Sequence, residues 1–541
     1  MRKLFTLGLA MILATSVYFS SKAQNVALEK TYEISGKSKR GYLGKVIYDQ
    51  DTKTYSLIYV TKANDKKAKF ETYQFDKDFN FIDKTDEEIE FEKARSKFSW
   101  FNFKGEQYSF ESVSVSGNLT GTLVLKKKKI TYKWNWFTGS YDKHVQLLEK
   151  IKPKNDEGNK YYYHTHAEDD VNGDILVLVG VKDKLQKNSD PYRQFKDLKI
   201  LKFNKDFDQV NESSIQFDYI QTLAFARFIS KPTDEDEENA GLDGLALVFA
   251  PMGGPGMNKY ADPNLKNYTY VRVADDGSIQ HKIHFESSAS YWKIDELVLD
   301  RSNNSVYLFG PAAEGKDKYY NLLLATTKFK AIQLMKIKDG QTEYLTSTNL
   351  DECAAKLKTP PSQKKSPEYE GKKFDIKGYK VGSNGEFFIY GQNFSENNNG
   401  KQYKDVIGFQ FDKNGVLKSQ FGVDTKENNE LAKLNGAPQF FEEGNSGKNM
   451  YWILTEIDGG RGEDVGSAHA RYKFLLYPRI GKIDMNTGTI NDFVTLGKVD
   501  KKTFYLDNKF PFLPVDEGAS IVFFGNDKPG KFIWFAKVNL D

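Results

Sequence analysis

The most regular feature of the chain is a recurring pair of short segments separated by a turn rich in Asn, Asp, Gly and Ser. Apolar and polar residues alternate in these segments, and the second one is strongly apolar or aromatic. Alternation with a period of two predicts β-strands, and turns of this composition predict hairpins. Copies of this first unit cover residues 46–60, 100–113, 167–180, 228–249, 297–310, 379–391, 440–454 and 514–525. The turn of the 228–249 copy is enlarged by an acidic insert at 234–238.

A second unit follows the first one in most repeats. It is an alternating strand that ends in a polar turn and is followed by another strand, which is a hairpin signal. Copies cover residues 72–84, 201–210, 271–285, 335–345, 409–421 and 481–493. The two units together predict four antiparallel strands per repeat.

The repeats predict an all-β fold. Four-stranded antiparallel units in series are typical of a β-propeller, and the pattern predicts eight blades, with seven as the alternative. Each repeat has roughly 65 residues, which is longer than the 40–45 or so of a common blade, so the excess is expected in loops. The rival interpretation is an array of β-sandwiches. No Pro/Ser/Gly linker recurs between the units, which disfavours separate domains.

The two ends of the chain predict how the ring closes. The last unit, residues 531–541, stops one strand short of a full blade. A lone strand-like stretch at 27–35 precedes the first repeat. We expect this stretch to supply the outer strand of the last blade, which would protect its edge and hold the termini together.

Over essentially the whole mature length the chain resembles the β-propeller superfamily. Its eight-bladed members include quinoprotein dehydrogenases and a lipoprotein of the outer-membrane barrel-assembly machinery. Asp484, Thr487 and Gly488 match the repeated quinoprotein blade signature once, without its tryptophan, and the other repeats lack the Thr-Gly pair. The resemblance therefore concerns the fold alone and does not indicate an activity.

Residues 1–23 have the order of a secretory signal. Arg2 and Lys3 precede an apolar run at 4–19, and the small-residue site Ser21-Lys22-Ala23 follows. The alternative is a membrane anchor, but a run of this length is short for a span of about 20 residues. We expect cleavage before Gln24, which leaves residues 24–541 as one β-propeller domain.

Export sets the expected location. A mature chain that opens on Gln24 resembles exported proteins of the Bacteroidota. No Cys follows the apolar run, so lipid anchoring is not expected, and no later segment predicts a transmembrane span. The product is expected in the periplasm, at the cell surface or outside the cell.

Composition narrows the function classes. The chain has 78 Lys and Arg against 74 Asp and Glu, and removal of the three basic residues of the signal leaves a net charge of +1. Nucleic-acid binding would need a stronger basic field, so we expect none. Cys353 is the only cysteine, which excludes internal disulfides and a Cys-rich zinc site. No motif indicates a cofactor.

The interruptions of the repeats are the candidate binding regions. A Pro/Lys-rich insertion at 351–370 contains Cys353 and is expected to be a surface connector. Long connections between the second and third strands of blades should all project on one face. They cover residues 181–196, 251–266, 311–320, 392–404 and 458–472. Long loops on a rigid scaffold are where binding usually resides.

Within these regions five residues are the candidate contacts. A Gly-rich segment at 251–256 precedes Met257 and Tyr260, but it lacks the Lys-Ser/Thr and the helix start of a phosphate-binding loop. Arg461 lies between acidic residues that could hold a cation, and it could itself bind a carboxylate. Tyr291 and Trp292, at the entry to the fifth blade, are the predicted exposed aromatic contact, with packing between blades as the alternative.

Metal binding and catalysis have weak signals. His164 and His166 have the spacing that places two side chains on one face of a strand, and acidic residues follow them. Two ligands without a third indicate only a weak metal candidate. No G-x-S-x-G nucleophile motif occurs, so no catalytic residue is assigned.

These features favour a non-enzymatic, extracytoplasmic platform for protein–protein interaction, with another envelope or outer-membrane protein as its partner. The alternative is a carbohydrate-active enzyme or glycan-binding protein with acidic residues at the mouth of the central channel, where Asp49, Asp169 and Asp295 are candidates.

Overall fold

The computed structural model describes residues 26–63, 67–90, 108–118, 121–135, 137–138, 140–181, 195–232, 240–251, 262–289, 291–313, 329–371, 373–398, 400–464, 470–499 and 502–541. Within these segments the chain is built mostly of antiparallel strands that form seven sheets. The α-helices described there have five or six residues. None of the described helices has the length and apolar character needed to cross a membrane.

The first three sheets follow one another along the chain. The first described elements are β1 (Val26–Glu33) and α1 (Gly36–Arg40). The first sheet contains β2 (Tyr42–Asp49), β3 (Thr54–Ala63), β4 (Lys67–Phe75) and β5 (Phe81–Glu90). The second sheet contains β6 (Tyr108–Gly117), β7 (Leu123–Asn135) and β8 (Ser140–Ile151). The third sheet contains β9 (Tyr161–Glu168), β10 (Ile175–Val181), β11 (Phe195–Phe203), β12 (Gln209–Ser230), β13 (Leu242–Pro251), β14 (Asn267–Ala274) and β15 (Ile279–Glu286).

Four further sheets complete the described fold. The fourth contains β16 (Tyr291–Trp292), β17 (Glu296–Asp300), β18 (Ser305–Ala313), β19 (Ala331–Lys338) and β20 (Gln341–Asn349). After α2 (Leu350–Ala355), the fifth contains β21 (Leu357–Lys358), β22 (Phe374–Val381), β23 (Phe387–Asn397), β24 (Gly400–Phe411) and β25 (Leu417–Val423). After α3 (Glu430–Asn435), the sixth contains β26 (Gln439–Glu443), β27 (Asn449–Asp464), β28 (Ala470–Asp484), β29 (Thr489–Ile490) and β30 (Val494–Thr495). The seventh contains β31 (Lys498–Val499), β32 (Lys502–Leu506), β33 (Phe512–Val515), β34 (Ser520–Asp527) and β35 (Phe532–Asn539), with β1 at its edge.

The polar turns of the repeats are closed by an acid or amide at the end of a strand. The carboxylate of Asp49 accepts from the backbone N–H groups of Asp51 and Thr52 at 2.9 and 3.0 Å. Asp484 accepts in the same way from Asn486 and Thr487. Such side-chain to backbone bonds explain why Asp and Asn mark the turns in the sequence. The Asp-x-x-Thr-Gly match at 484–488 is therefore a hairpin turn.

The apolar core lies between successive sheets. Aromatic side chains dominate it, as in the parallel stack of Tyr307 on Phe387, whose ring centroids are 4.8 Å apart across the fourth and fifth sheets. Other clusters join the second sheet to the third, the third to the fourth, the fifth to the sixth and the sixth to the seventh. One more cluster joins the seventh sheet back to the first, through contacts such as Phe535 on Phe75 at 4.7 Å. Sheets that follow in chain order, with the last packed on the first, form a β-propeller.

The ends of the chain close the ring as expected. β1 pairs antiparallel with β35, and Thr31 lies opposite Trp534. The backbone N–H of Ile34 extends the contact by donating to the carbonyl of Lys531 at 3.0 Å. The prediction that the N-terminal strand supplies the outer strand of the last blade is confirmed.

The number of blades, predicted as eight with seven as the alternative, stays a prediction. The third sheet contains two groups of four strands, which share the 22-residue strand β12. The first half of β12 pairs with β11 and the second half with β13. An apolar cluster with Leu178 and Ile200 on one side and Leu247 and Val271 on the other fills the space between the two groups.

The insertion at 351–370 is anchored to the core at two points. Its helix α2 places Cys353 in the core between the fourth and fifth sheets, with no exposed surface. Tyr369 is buried in the same cluster. Between them, β21 adds a short parallel pairing to the outer edge of β25, with Leu357 opposite Gln420. Most of the other side chains of the insertion are exposed, so it lies at the surface and is anchored to the edge of the fifth sheet by these contacts.

Two of the five predicted long loops are instead extended hairpins. The β23–β24 pairing continues to Asn397 opposite Gly400, and the β27–β28 pairing continues to Asp464 opposite Ala470. The sequence did not predict these strand extensions because their residues are mostly polar and lack the alternation of apolar and polar residues that marks the other strands. The other three predicted loops, at 181–196, 251–266 and 311–320, lie largely outside the described residues.

Candidate functional site

A cavity of about 480 Å³ lies between the fifth and sixth sheets, at the end from which the two extended hairpins project. We call it the loop-face pocket. Its volume is in the range of small-ligand sites, which is roughly 300–1,000 Å³. The wall is polar and is formed by Lys365, Gln392, Ser395, Gln402, Tyr403, Lys404, Asp405, Thr425, Lys426, Glu427, Asn428, Ala432, Lys433, Ala437, Glu456 and Ile457.

The connection between the fifth and sixth sheets forms one wall of the loop-face pocket. Asn429 caps α3 by accepting from the N–H of Ala432 at 3.0 Å. The amide of the same side chain donates to the carbonyl of Ile457 at 2.6 Å, which fixes the helix to β27. The helix is capped by Gly436, which has a φ of 68°. A residue with a side chain would be strained in this left-handed conformation. An added Cβ there would also lie only 3.0 Å from Oε1 of Gln392.

A buried ion pair supports the base of the pocket. Oε1 of Glu456 accepts from Nη1 of Arg479 at 2.5 Å, and both side chains are less than one-tenth exposed. Glu456 also accepts from the backbone N–H groups of Lys426 and Glu427, at 3.0 and 3.2 Å. The same Nη1 donates to the carbonyl of Asp424 at 3.0 Å. These bonds fix the backbone of 424–427, on which the pocket wall is built.

Two ionisable groups in the pocket wall have displaced pKa values. Desolvation raises the pKa of Asp405, against the opposing effect of Lys365. Desolvation lowers the pKa of Lys426, and the nearby charge of Arg479 lowers it further. In both cases the neutral form is favoured relative to free solution, as expected where polar groups are partly withdrawn from water.

The wall of the loop-face pocket offers several side chains that can form hydrogen bonds. Among the described residues that line it there is no histidine or cysteine. Glu456 is already saturated by an arginine and two backbone donors, and so is not available as a base. Lys404, Gln402 and Asn428 offer side chains that can form hydrogen bonds with a polar partner.

The three acids predicted for the channel mouth form local contacts. Asp49 and Asp169 close the β2–β3 and β9–β10 turns, where each accepts backbone N–H groups. Asp295 forms an ion pair with Lys293, and burial raises its pKa. These contacts give the three acids structural roles in turns and an ion pair.

Tyr291 and Trp292 are not the exposed contact that was predicted. Tyr291 is 7% exposed and Trp292 has no exposed surface. The indole Nε1 of Trp292 donates to the carbonyl of Gly310 at 3.1 Å, and its ring packs against Tyr268 and Phe285. The prediction of exposure is wrong because β16 pairs with β18 and turns both rings into the core between the third and fourth sheets.

Of the other three predicted contacts, the structure places only the backbone of Arg461. Met257 and Tyr260 lie outside the described residues. Arg461 lies in the extended part of β27, where its backbone is opposite Lys473. A role for these residues in binding stays a prediction.

The two histidines of the weak metal candidate do not lie on one face of β9. The ladder with β10 skips His164, so the alternation is interrupted there. His164 packs on Phe195, whereas Nδ1 of His166 lies 2.8 Å from the hydroxyl of Tyr163. The predicted pairing of the rings is wrong because this bulge turns them apart. Within the described part of the chain, no group of three or more potential ligands is placed to hold a metal ion.

The sequence predicted only part of the loop-face pocket. The 392–404 segment was singled out and does form one wall. The connection at 424–437 was missed, although Asn429 before a helical stretch and Gly436 after it are start and stop signals. The Glu456–Arg479 pair joins neighbouring strands at positions 23 residues apart, and no sequence motif marks such a pair.

No protein-family model matches the chain. No curated protein matches it significantly either. Comparison with solved structures finds a mutant of the NanB sialidase from Streptococcus pneumoniae, at 9% identity and a TM-score of 0.25, over 90% of this chain and 84% of that one. The WD40 domain of SCAP from fission yeast has 8% identity and a TM-score of 0.24, over 95% and 98% of the two chains. A lignostilbene dioxygenase from Pseudomonas brassicacearum has 10% identity and a TM-score of 0.28, over 86% and 90%. Similarities this low establish neither activity nor ligand, and the fold is defined by the order and packing of the sheets.

Proposed function

We propose that the chain is an exported, non-enzymatic β-propeller that acts as a platform for protein–protein interaction, as a subunit of a cell-envelope complex. Export is supported by the signal-like residues 1–23, and a location in the periplasm or at the cell surface follows from the same pattern. The proposed architecture of this platform is a ring of eight blades.

The single observation that carries the platform is the pair of extended hairpins that flank the loop-face pocket. Beyond Phe394 and Tyr403, β23 and β24 pair with each other and, within the described residues, with no third strand. Beyond Thr455, β27 pairs in the same way with β28 alone. Ribbons that leave the sheets present backbone edges and side chains to a partner.

The test is to shorten one ribbon without disturbing the blade. Residues 395–402 are replaced by Asn-Gly, a two-residue turn that reconnects Phe394 and Tyr403, which already lie opposite each other. The control carries Lys413→Ala and Asn414→Ala, two exposed residues in the turn at the opposite end of the same sheet.

Each protein is expressed in the source cell, cross-linked in the intact envelope and purified under native conditions. The parent and the control are expected in a complex larger than the 518-residue mature chain, with the same partner identified by mass spectrometry. The shortened variant should be recovered free. A parent chain recovered only as a free monomer would contradict the platform, and equal complex formation by the shortened variant would contradict the role of the ribbon.

A second candidate is glycan binding in the loop-face pocket. Its polar wall favours it, because sugars are recognised through many hydrogen bonds from such side chains. Titration calorimetry with a panel of oligosaccharides should then give saturable binding that Gln402→Ala weakens and Lys413→Ala does not. If no oligosaccharide binds the mature chain, this candidate is rejected.

A further inference from the structure

A second cavity lies on the face opposite the loop-face pocket. It has a volume of about 300 Å³ and lies between the last strands of the third sheet and the strands of the fourth sheet. Turns that join first to second and third to fourth strands surround it, whereas the loop-face pocket is built at the other strand ends. We call it the turn-face cavity. It is lined by Asp243, Tyr270, Arg272, Gln280, His281, Leu299, Arg301, Asn304, Val306, Ile337 and Gly340.

The strand register brings a cationic group and a hydroxyl group to one wall of this cavity. Tyr270 and Arg272 are two residues apart on β14 and therefore point to the same side of the sheet. His281 lies directly opposite Arg272 on β15 and faces the same way. The ring of His281 lies against the turn at Gly340, where an added Cβ would be only 2.7 Å from Nδ1.

Two arginines share one carboxylate at the edge of the cavity. Nη2 of Arg272 and Nη2 of Arg301 both lie 3.1 Å from Oδ2 of Asp243. Arg272 is almost buried and is held by the carbonyls of Leu245 and Val273 as well. Arg301 is 40% exposed. Two guanidinium groups against one carboxylate leave this wall with a net positive charge.

Tyr270 is the second, independent indication of a ligand. The residue is 1% exposed, and its hydroxyl has no hydrogen-bond partner among the described residues. Buried polar groups are almost always paired, because an unpaired one loses its hydration without replacement. Tyr270 lines the cavity, so this hydroxyl group is a donor that a bound molecule can use when it displaces the side chains that cover it.

The remaining wall is apolar. Leu299, Val306 and Ile337 contribute aliphatic side chains, and the last two are almost fully buried. An inorganic anion would leave this surface without a partner, whereas the chain of an organic acid would cover it.

We propose that the turn-face cavity binds a small organic acid, whose carboxylate meets Arg301 and the Tyr270 hydroxyl while its short aliphatic part lies on Leu299, Val306 and Ile337. The carboxylate offsets the excess charge of the two arginines and supplies the missing partner of Tyr270. The site is independent of the loop-face pocket and of the platform proposed there.

The experiment is titration calorimetry of the mature chain with acetate, butyrate, hexanoate and inorganic phosphate at constant ionic strength. Hexanoate should bind most tightly, with roughly a fourfold gain for each methylene that reaches the apolar wall. Arg301→Gln should weaken hexanoate binding about tenfold, and Tyr270→Phe by a factor of about three to ten.

The controls are Arg40→Gln, which removes the same charge from α1, and Tyr219→Phe, which removes a hydroxyl from an exposed tyrosine. Both should bind hexanoate like the parent. Tyr270→Phe breaks no hydrogen bond of the free protein, so its unfolding midpoint without ligand should not fall. The stabilisation by hexanoate should shrink, and this separates a lost contact from a damaged fold.

Several results would overturn the proposal. Absence of saturable hexanoate binding would do so, as would parent-like binding by either Arg301→Gln or Tyr270→Phe. Phosphate that binds more tightly than hexanoate would contradict the organic acid.

Discussion

The indole Nε1 of Trp534 donates a hydrogen bond of 2.7 Å to the carboxylate of Glu29, which joins the last described strand to the first. The same carboxylate oxygen accepts from the backbone N–H of Gly497 at 3.2 Å. Glu29 thus ties β1 both to its ladder partner and to the connection before β31. The closure of the ring depends on this side chain as well as on the backbone ladder.

The first prediction concerns this closure. Glu29→Ala removes an acceptor from two donors, and the indole of Trp534 has no exposed surface where water could replace it. We expect a loss of about 1–3 kcal/mol in the free energy of unfolding, measured by urea denaturation. Glu33→Ala, which breaks only an ion pair between half-exposed groups with Lys531, should cost less than about 1 kcal/mol. Equal losses in the two variants would contradict a special role for Glu29.

The fold was predictable from the sequence because the hairpin signal is local. Asp49 and Asp484 mark turns by bonds to their own neighbours, and β1 was recognisable as a strand without a partner in its own blade. Tyr291 and Trp292 show where this reasoning fails. A two-residue strand carries no alternation, so the sequence did not indicate that its pairing with Ala312 and Ala313 buries both rings.

The candidate sites were less predictable because they depend on contacts between distant segments. The pairing of Glu456 with Arg479 follows from the register of β27 and β28, which the sequence does not give. The bulge at His164 turns its side chain away from that of His166, and the residue types around it do not indicate a bulge. The unpaired hydroxyl of Tyr270 is visible only once the third and fourth sheets are placed together.

The second prediction is a pH dependence that arises at Glu71. This carboxylate on β4 is 1% exposed and accepts hydrogen bonds from Ser35, from Ser38 at 2.6 Å and from Tyr73 at 3.0 Å, with Nζ of Lys84 also 3.0 Å away. Burial by itself would raise the pKa of Glu71, but these donors outweigh it and lower the pKa to about 2, from 4.5 when free.

A pKa that is lower in the folded state stabilises the fold above the unfolded value and ceases to do so as the pH falls towards the folded one. The contribution of Glu71 should therefore be complete above about pH 5 and disappear between about pH 4.5 and 2. It amounts to about 3 kcal/mol at most. Unfolding free energies measured over this range should fall less steeply for Glu71→Gln than for the parent. Glu149→Gln, an exposed substitution on β8, should follow the parent, and a Glu71→Gln curve parallel to the parent would contradict the assignment.

The third prediction tests the base of the loop-face pocket. Glu456→Ala leaves the guanidinium of Arg479 buried and unpaired, which is expected to cost about 3–5 kcal/mol of stability. The exposed pair of Lys433 and Glu430, at 3.1 Å, provides the comparison, and Glu430→Ala should cost less than about 0.5 kcal/mol. Chemical denaturation measures both. A loss below 1 kcal/mol or so for Glu456→Ala would show that water reaches Arg479 and that the base of the pocket is open.

The fourth prediction distinguishes a packed Trp292 from one that binds a ligand. Trp292→Ala removes a fully buried indole from the cluster between the third and fourth sheets and should cost about 3–5 kcal/mol through the cavity it leaves. Phe137→Ala removes a fully exposed ring and should change stability by no more than about 0.5 kcal/mol. Denaturant titrations followed by circular dichroism measure both, because this signal does not depend on the deleted indole. A Trp292→Ala chain as stable as the parent would restore the idea that this aromatic residue serves recognition instead of the core.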